Sequence, residues 1–179
     1  MAPLTSTKLT YEDYLLLPDD GRRHEIIDGE HFVSPSPNTQ HQRISKRFTA
    51  ALLPCENAGL GEVFYAPYDV VLSIFDVVQP DVLFITPARA HIVNDKHAEG
   101  APDLVIEILS EFNRQYDEQV KYKTYERPGV DEYWIADPFE KIVKVFRRTG
   151  ERFARIAVGD ILTTPLLPSF QLRIADLFT

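Results

Sequence analysis

The sequence predicts an α/β domain built on a mixed β-sheet flanked by helices, and three features predict it. The run Leu104-Val105-Ile106-Glu107-Ile108-Leu109 is apolar almost throughout, the pattern of a strand covered on both faces. An amphipathic stretch over 115–127 follows, closed by Pro128-Gly129, and a second strand-like run spans Glu132 to Ala136. Strand, helix and strand in that order form a βαβ unit, whose strands run parallel with a right-handed crossover. Tight-turn pairs at Asp28-Gly29 and Thr149-Gly150 join two hairpins, so antiparallel strands are mixed with the parallel pair.

From the N-terminus, residues 10–17 read as a short helix, with Thr10 as N-cap, Glu12 in the first turn and Pro18 ending it. Arg23 to Val33 is the first hairpin. Ser34-Pro35-Ser36-Pro37 is a loop, and Thr39 to Leu53 an amphipathic helix with Ile44, Phe48, Ala51 and Leu52 on its apolar side. Gly61 to Leu72 holds one or two strands and Val77 to Ile85 another. Thr86 to Glu99 is polar and irregular. After the βαβ unit (Asp103 to Leu109, 115–127, Glu132 to Ala136), Ile142 to Ile156 is the second hairpin. The tail from Leu162 to Phe178 is punctuated by prolines and packs apolar residues to the end. No repeat, low-complexity tract or linker divides the 179 residues, so a single domain over 1–179 is expected. A chain of that length buries roughly 70% of its unfolded surface without staples.

Hydrophobic residues make up 44% and charged residues 26%, ordinary for a globular protein. The one cysteine, Cys55, excludes an internal disulfide framework and reads as a half-buried small hydrophobe in a reducing compartment. The first residues, Met-Ala-Pro-Leu-Thr-Ser, lack a basic region followed by an apolar stretch, and no apolar run approaches the roughly 20 residues of a membrane span. A soluble cytoplasmic protein without membrane partners is expected. The net charge of −8 argues against tight non-specific binding to phosphate backbones. Two basic sets stand against that balance. Arg43, Lys46 and Arg47 share one helix face, and Lys141, Lys144, Arg147, Arg148, Arg152 and Arg155 cluster later. Each is either a solvated face or a local strip beside an acidic site.

Chemistry concentrates on two carboxylates in apolar surroundings. Glu107 lies mid-strand on the face shared by Val105 and Leu109. A buried unpaired carboxylate costs several kcal/mol or takes up a proton, so a metal ion or a lysine is expected beside it. Asp81 lies inside the run Val77 to Ile85, directly after Pro80, which cannot donate to a ladder and forces an edge or a bend there. Two such carboxylates on neighbouring strands make a hard oxygen pocket suited to Mg²⁺ or Mn²⁺. The following helix offers Lys121, with Glu118 at i−3 and Tyr125 at i+4 on the same face, while Lys123 points about 200° away. Read singly, the acids are salt-bridged or capping residues and Lys121 a solvated lysine.

Other motifs are incomplete. His24-Glu25-Ile26-Ile27-Asp28 lacks the second histidine of a zinc-protease motif and reads as strand. Gly59-Leu60-Gly61 lacks the third glycine of a dinucleotide loop, and His91 and His97 have no third ligand in view.

Together these segments resemble the PD-(D/E)XK nuclease superfamily, and more closely the restriction-endonuclease-like proteins of the Uma-two type. The resemblance rests on His24-Glu25-Ile26-Ile27-Asp28-Gly29-Glu30, on His41-Gln42-Arg43-Ile44 and on Gln79-Pro80-Asp81-Val82. It continues through the stretch from Gly100 to Ser110 and through Gly129-Val130-Asp131-Glu132-Tyr133-Trp134, and in order and spacing it spans Thr10 to Phe178. One departure is visible: two residues after the glutamate, where the superfamily places its lysine, stands Leu109, and Lys121, four residues before Tyr125, fits a lysine relocated to the helix.

The resemblance implies a restriction-endonuclease-like fold and a metal-dependent endonuclease hydrolysing DNA phosphodiester bonds. Asp81 and Glu107 would hold Mg²⁺ (or Mn²⁺), Lys121 would orient the attacking hydroxide or stabilise phosphate charge, and Glu25 would complete the site. His41, near a helix N-terminus, either faces the same cleft or is a helix-capping or surface histidine. A homodimer is expected on chemical grounds, because duplex cleavage needs two sites. Two alternatives stay open: a non-catalytic nucleic-acid-binding or regulatory protein that keeps the nuclease fold, and a structural module in which Glu107 and Lys121 form a buried ion pair.

Overall fold

In the computed structural model, which describes residues 8–110, 114 and 116–179, the chain opens with α1 (Tyr11–Tyr14). The Thr10 side chain and Asp13 cap it reciprocally, satisfying two N–H groups that a helix start leaves unpaired. The hairpin of β1 (Arg23–Ile27) and β2 (Glu30–Ser34) turns through Asp28 and Gly29, with φ of 51° and 78°, as a tight hairpin turn requires. Asn38 caps α2 (Thr39–Asn57), which turns Ile44, Phe48, Leu52 and Cys55 into the core. The helix runs past the expected end at Leu53 and through Pro54. A proline there removes an intrahelical bond, a cost of about 3 kcal/mol. Burial of Cys55 beyond the proline and the Glu56 carboxylate accepting from the Val63 N–H at 2.7 Å both favour the extra turn.

The next strands are β3 (Glu62–Tyr65), β4 (Val70–Ser73), β5 (Asp76–Val78) and β6 (Val82–Ile85). The expected single strand over Val77 to Ile85 is therefore two, interrupted at Gln79-Pro80-Asp81. Pro80 has no N–H to give a ladder, and the chain uses the break to cross between sheets. A 3₁₀ turn (Pro87–Ile92) and the two-residue β7 (Ala98–Glu99) fill the irregular stretch. Then come β8 (Leu104–Ile108), a π-helical turn (Tyr116–Lys121) running into α3 (Tyr122–Glu126), and β9 (Glu132–Asp137). Gln115, where the helix was expected to begin, lies outside the described residues. The hairpin β10 (Ile142–Thr149) and β11 (Arg152–Ile156) follows, with Gly150 at φ 62° in its turn. The apolar tail forms a further hairpin, β12 (Ile161–Thr164) and β13 (Leu167–Arg173), and ends in α4 (Ile174–Leu177).

These strands form two mixed sheets and a separate hairpin. The central sheet runs β11-β10-β9-β8-β6-β3. Its parallel pair is β8 and β9, in register from Leu104 against Glu132 to Ile108 against Ala136, as the βαβ pattern requires. The second sheet runs β2-β1-β5-β4-β7. Because strand side chains alternate, the central sheet feeds two cores. On one face, Ile106, Ile108 and Trp134 pack with Phe48 of α2, Phe170 of β13 and Leu177 of α4. On the other, Val105, Leu109, Tyr133 and Ile135 pack with Tyr125 of α3 and with Ile27, Val70 and Val78 of the second sheet. Glu107 points into this second layer, so the site lies where the two sheets and α3 meet.

Candidate active site

Glu107 is 2% exposed, and two donors converge on its Oε1. The Lys121 ammonium donates at 2.8 Å and the Tyr125 hydroxyl at 2.6 Å. Among the described residues no hydrogen bond reaches Oε2, while Glu107 itself lines a cavity of about 340 Å³. Burial is the largest influence on this carboxyl and raises it. Lys121 pulls it back, Asp81 and Glu25 push it further, and the result is a carboxyl pushed up to about 7.

Asp81 sits at the break between β5 and β6 and lines the same cavity. β6 is too short to continue the ladder with β8, and the Asp81 carboxylate replaces it, accepting from the Ile108 N–H at 2.8 Å. Arg23 Nη1 lies 2.7 Å from Oδ1, and His41 Nε2 lies 3.0 Å from Oδ2. Burial raises the Asp81 carboxyl, yet the His41 hydrogen bond and the charges of Arg23, His41 and Lys121 outweigh it, holding it well below the usual carboxylate range. The two acids thus occupy opposite electrostatic states beside one cavity, a separation common at functional sites.

Lys121 is 3% exposed and also meets Glu25 Oε1 at 3.1 Å, with Asp117 Oδ1 at 3.9 Å. Burial disfavours its charge, but Glu107, Glu25 and Asp117 more than compensate and raise the ammonium well above its ordinary value. Glu25 does not stand on the cavity wall. Its Oε1 accepts from the Gln79 N–H at 2.8 Å, and its buried Oε2 has no partner among the described residues.

The expected stripe around Lys121 needs one correction. Tyr125 is in place, but Glu118 is not beside Lys121; it pairs with Lys144 at 2.5 Å. The facing carboxylate is Asp117, buried, lining the cavity and raised well above its ordinary value chiefly by burial. The reason is the π-turn over Tyr116–Lys121, whose wider i→i+5 pitch brings i−4 rather than i−3 under the lysine. Arg23 also escaped the sequence reading, although strand alternation puts it on the face of Glu25 two residues away. His41 takes the first of its two alternatives: its ring reaches Asp81 at the cavity, while the helix is capped by Asn38, whose Oδ1 accepts from the His41 N–H at 2.9 Å. Lys123 is exposed.

Among the described residues, no three carboxylate, imidazole or thiol groups converge on one point as a closed metal cage. Asp81 and Glu107 nevertheless fit a hard divalent cation. Both line one cavity, Glu107 keeps an oxygen that no described donor occupies, and Mg²⁺ commonly takes only one or two carboxylates, completing its shell with water and phosphate.

A solved structure shares this architecture. The crystal structure of a putative nuclease belonging to DUF820 from Anabaena variabilis superposes with a TM-score of 0.79, covering 95% of this chain and 97% of that one at 22% identity. The chain has the restriction-endonuclease-like fold, a mixed β-sheet flanked by helices. The model of the Uma2 family, described as "Putative restriction endonuclease", matches residues 11–175, and the chain belongs to that family. It is also 27% identical over 159 residues to the uncharacterized protein sll1609 of Synechocystis sp., covering 85% of this chain and 88% of that one. No described helix is long and apolar enough to cross a membrane.

Proposed function

We propose that this protein is a metal-dependent endonuclease that hydrolyses phosphodiester bonds of DNA. The observation that supports it best is the convergence of Asp81, Glu107 and Lys121 on one cavity, within a family and fold of nuclease character. Asp81 and Glu107 would hold Mg²⁺ or Mn²⁺, which when bound supplies Lewis-acid polarisation of the phosphate and activation of water.

The remaining chemistry belongs to the chain. Lys121 presents a permanent ammonium at the cavity wall, where it orients the nucleophile and stabilises charge developing on the phosphate. Glu25 and Tyr125 act as positioning residues. Glu25 fixes the ammonium from behind at 3.1 Å, and Tyr125 fixes the Glu107 oxygen at 2.6 Å. Arg23 and His41 keep Asp81 ionised and aimed. The Glu107 carboxyl is pushed up to about 7 chiefly by burial, with Asp81 and Glu25 adding to it against Lys121, and a dication beside it would favour its charged form.

The test is an assay on single-stranded, duplex and branched DNA with Mg²⁺ or Mn²⁺, run beside Glu107→Gln. Cleavage by the wild type and none by the variant is expected. Loss of nothing in the variant, or no cleavage of any substrate, overturns the proposal and favours a binding protein on a nuclease fold.

A further inference from the structure

A second cavity, about 660 Å³, runs beside the candidate active site between α2 and the end of β3. It shares Arg23, His41 and Asp81 with the first, so the two cavities adjoin at these side chains. Its outer wall is the exposed side of α2, where Arg43 and Lys46 project. Its far wall is Tyr65, 59% exposed at the end of an edge strand.

The charge of this groove is opposite to that of the chain. Acidic residues outnumber basic ones 27 to 19 over the whole sequence. In the groove the order is reversed: Arg23, Arg43 and Lys46 face a single carboxylate, Asp81, which Arg23 already neutralises at 2.7 Å. Arg43 and Lys46 form no ion pair with a described residue. Arg47, their neighbour in sequence, is not part of the groove; its guanidinium donates to the Leu177 carbonyl at 2.9 Å and ties α2 to α4. A pair of unneutralised cations beside an exposed aromatic ring is the combination that binds an unpaired nucleic-acid strand, cations meeting phosphates and the ring stacking a base. A stacked duplex base pair offers no free face to Tyr65.

Resting on the nuclease reading above, we infer that the groove between α2 and β3 is the track of single-stranded DNA leaving the candidate active site. Arg43 and Lys46 contact its phosphates and Tyr65 stacks one of its bases. Between the groove and the candidate active site the strand passes Arg23, His41 and Asp81, which line both cavities.

The experiment measures binding without turnover. A fluorescent single-stranded oligonucleotide and its duplex are titrated with the full protein in EDTA and again with Ca²⁺, across a range of salt. The single strand is expected to bind more tightly than the duplex. Arg43→Ala combined with Lys46→Ala should flatten the slope of log Kd against log salt by roughly 1.4, at about 0.7 per phosphate contact on a single strand. Tyr65→Ala should weaken single-strand binding by roughly 5- to 150-fold with the salt slope kept, and Tyr65→Phe should restore it. Arg155→Ala, an exposed cation outside the groove, should match the wild type. An unchanged slope in the double variant, wild-type affinity in Tyr65→Ala, or no single-strand binding in either buffer overturns the inference. Groove-dependent binding without cleavage would sink the nuclease reading alone, and cleavage with groove-independent binding would sink the groove alone.

Discussion

The Lys121 ammonium lies 2.8 Å from Glu107 Oε1, although the two residues arise from different elements of the βαβ unit. Neither is stable there alone. Lys121→Ala leaves Glu107 and Glu25 buried without their shared cation, a loss of the kind that costs about 3–5 kcal/mol. For a domain of this size that lowers Tm by roughly 6–20 °C. Turnover should fall by about 10²–10³-fold, as for removal of one charge-stabilising group. Lys123→Ala, at an exposed position, should match the wild type in both measurements. Comparable activities in the two variants, in an assay where Glu107→Gln is dead, would place the essential lysine elsewhere.

The state of Glu107 predicts how stability follows pH. Its carboxyl is pushed up from 4.5 to about 7, chiefly by burial, so above pH 4.5 the unfolded chain releases a proton that the folded chain keeps. That contribution is fully present below pH 4.5 and is lost as pH rises through 7, an effect on the order of 3 kcal/mol. Asp117, also raised by burial, pulls the same way. Asp81 is lowered instead, so its contribution is constant above pH 4 and lost only in stronger acid. The metal-free protein should therefore melt several degrees higher at pH 5 than at pH 7.5. The difference should shrink in Glu107→Gln. An identical pH profile in wild type and variant would show that Glu107 ionises normally.

Much of this site was legible in the sequence because burial makes charge conspicuous. Glu107 inside an apolar strand, and Asp81 after a proline, each required a partner, and the βαβ pattern brought Lys121 and Tyr125 to one of them. What stayed hidden depends on geometry that residue type does not encode. The π-turn exchanges Glu118 for Asp117 beneath Lys121, and nothing in the sequence Tyr116 to Lys121 distinguishes it from an ordinary helical turn. Likewise the split of Val77 to Ile85 between two sheets follows from Pro80, but which sheet each half joins is set by pairings far along the chain. The Arg23 and Asp81 pair, 58 residues apart, is of that long-range kind.

Tyr125 offers a test that separates positioning from packing. Its hydroxyl donates to Glu107 Oε1 at 2.6 Å in a fully buried setting, and its ring packs against Tyr133 with centroids 5.0 Å apart. Tyr125→Phe keeps the ring and removes the donor. A hydrogen bond to a charged acceptor is roughly twice as strong as a neutral one, so the loss should be larger when Glu107 is ionised. The variant should melt lower than the wild type by a few degrees at pH 8 and by clearly less at pH 5. A pH-independent deficit would assign Tyr125 to packing alone.

Asp81 decides whether the site holds a metal. Two effects compete when Asp81 becomes Asn. Removing a negative charge near Glu107 relieves repulsion, while Arg23 and His41 lose the carboxylate they hold at 2.7 and 3.0 Å. The Asp81 carboxyl stands well below its ordinary range, so its surroundings favour the charge on balance and the second effect wins. Asp81→Asn should lower the Tm of the metal-free protein. Mg²⁺ or Mn²⁺ should raise the Tm of the wild type, because a ligand that binds only the folded state stabilises it. At 100 times Kd that gain is about 2.7 kcal/mol, or roughly 5–10 °C. In Asp81→Asn and in Glu107→Gln the gain should vanish, each having lost one of the two carboxylates. Lys121→Ala should keep it, since a nearby positive charge has gone. Thermal melts of the four proteins over a Mn²⁺ series provide the measurement, and equal metal-induced shifts in the wild type and Asp81→Asn would reject a site shared by Asp81 and Glu107.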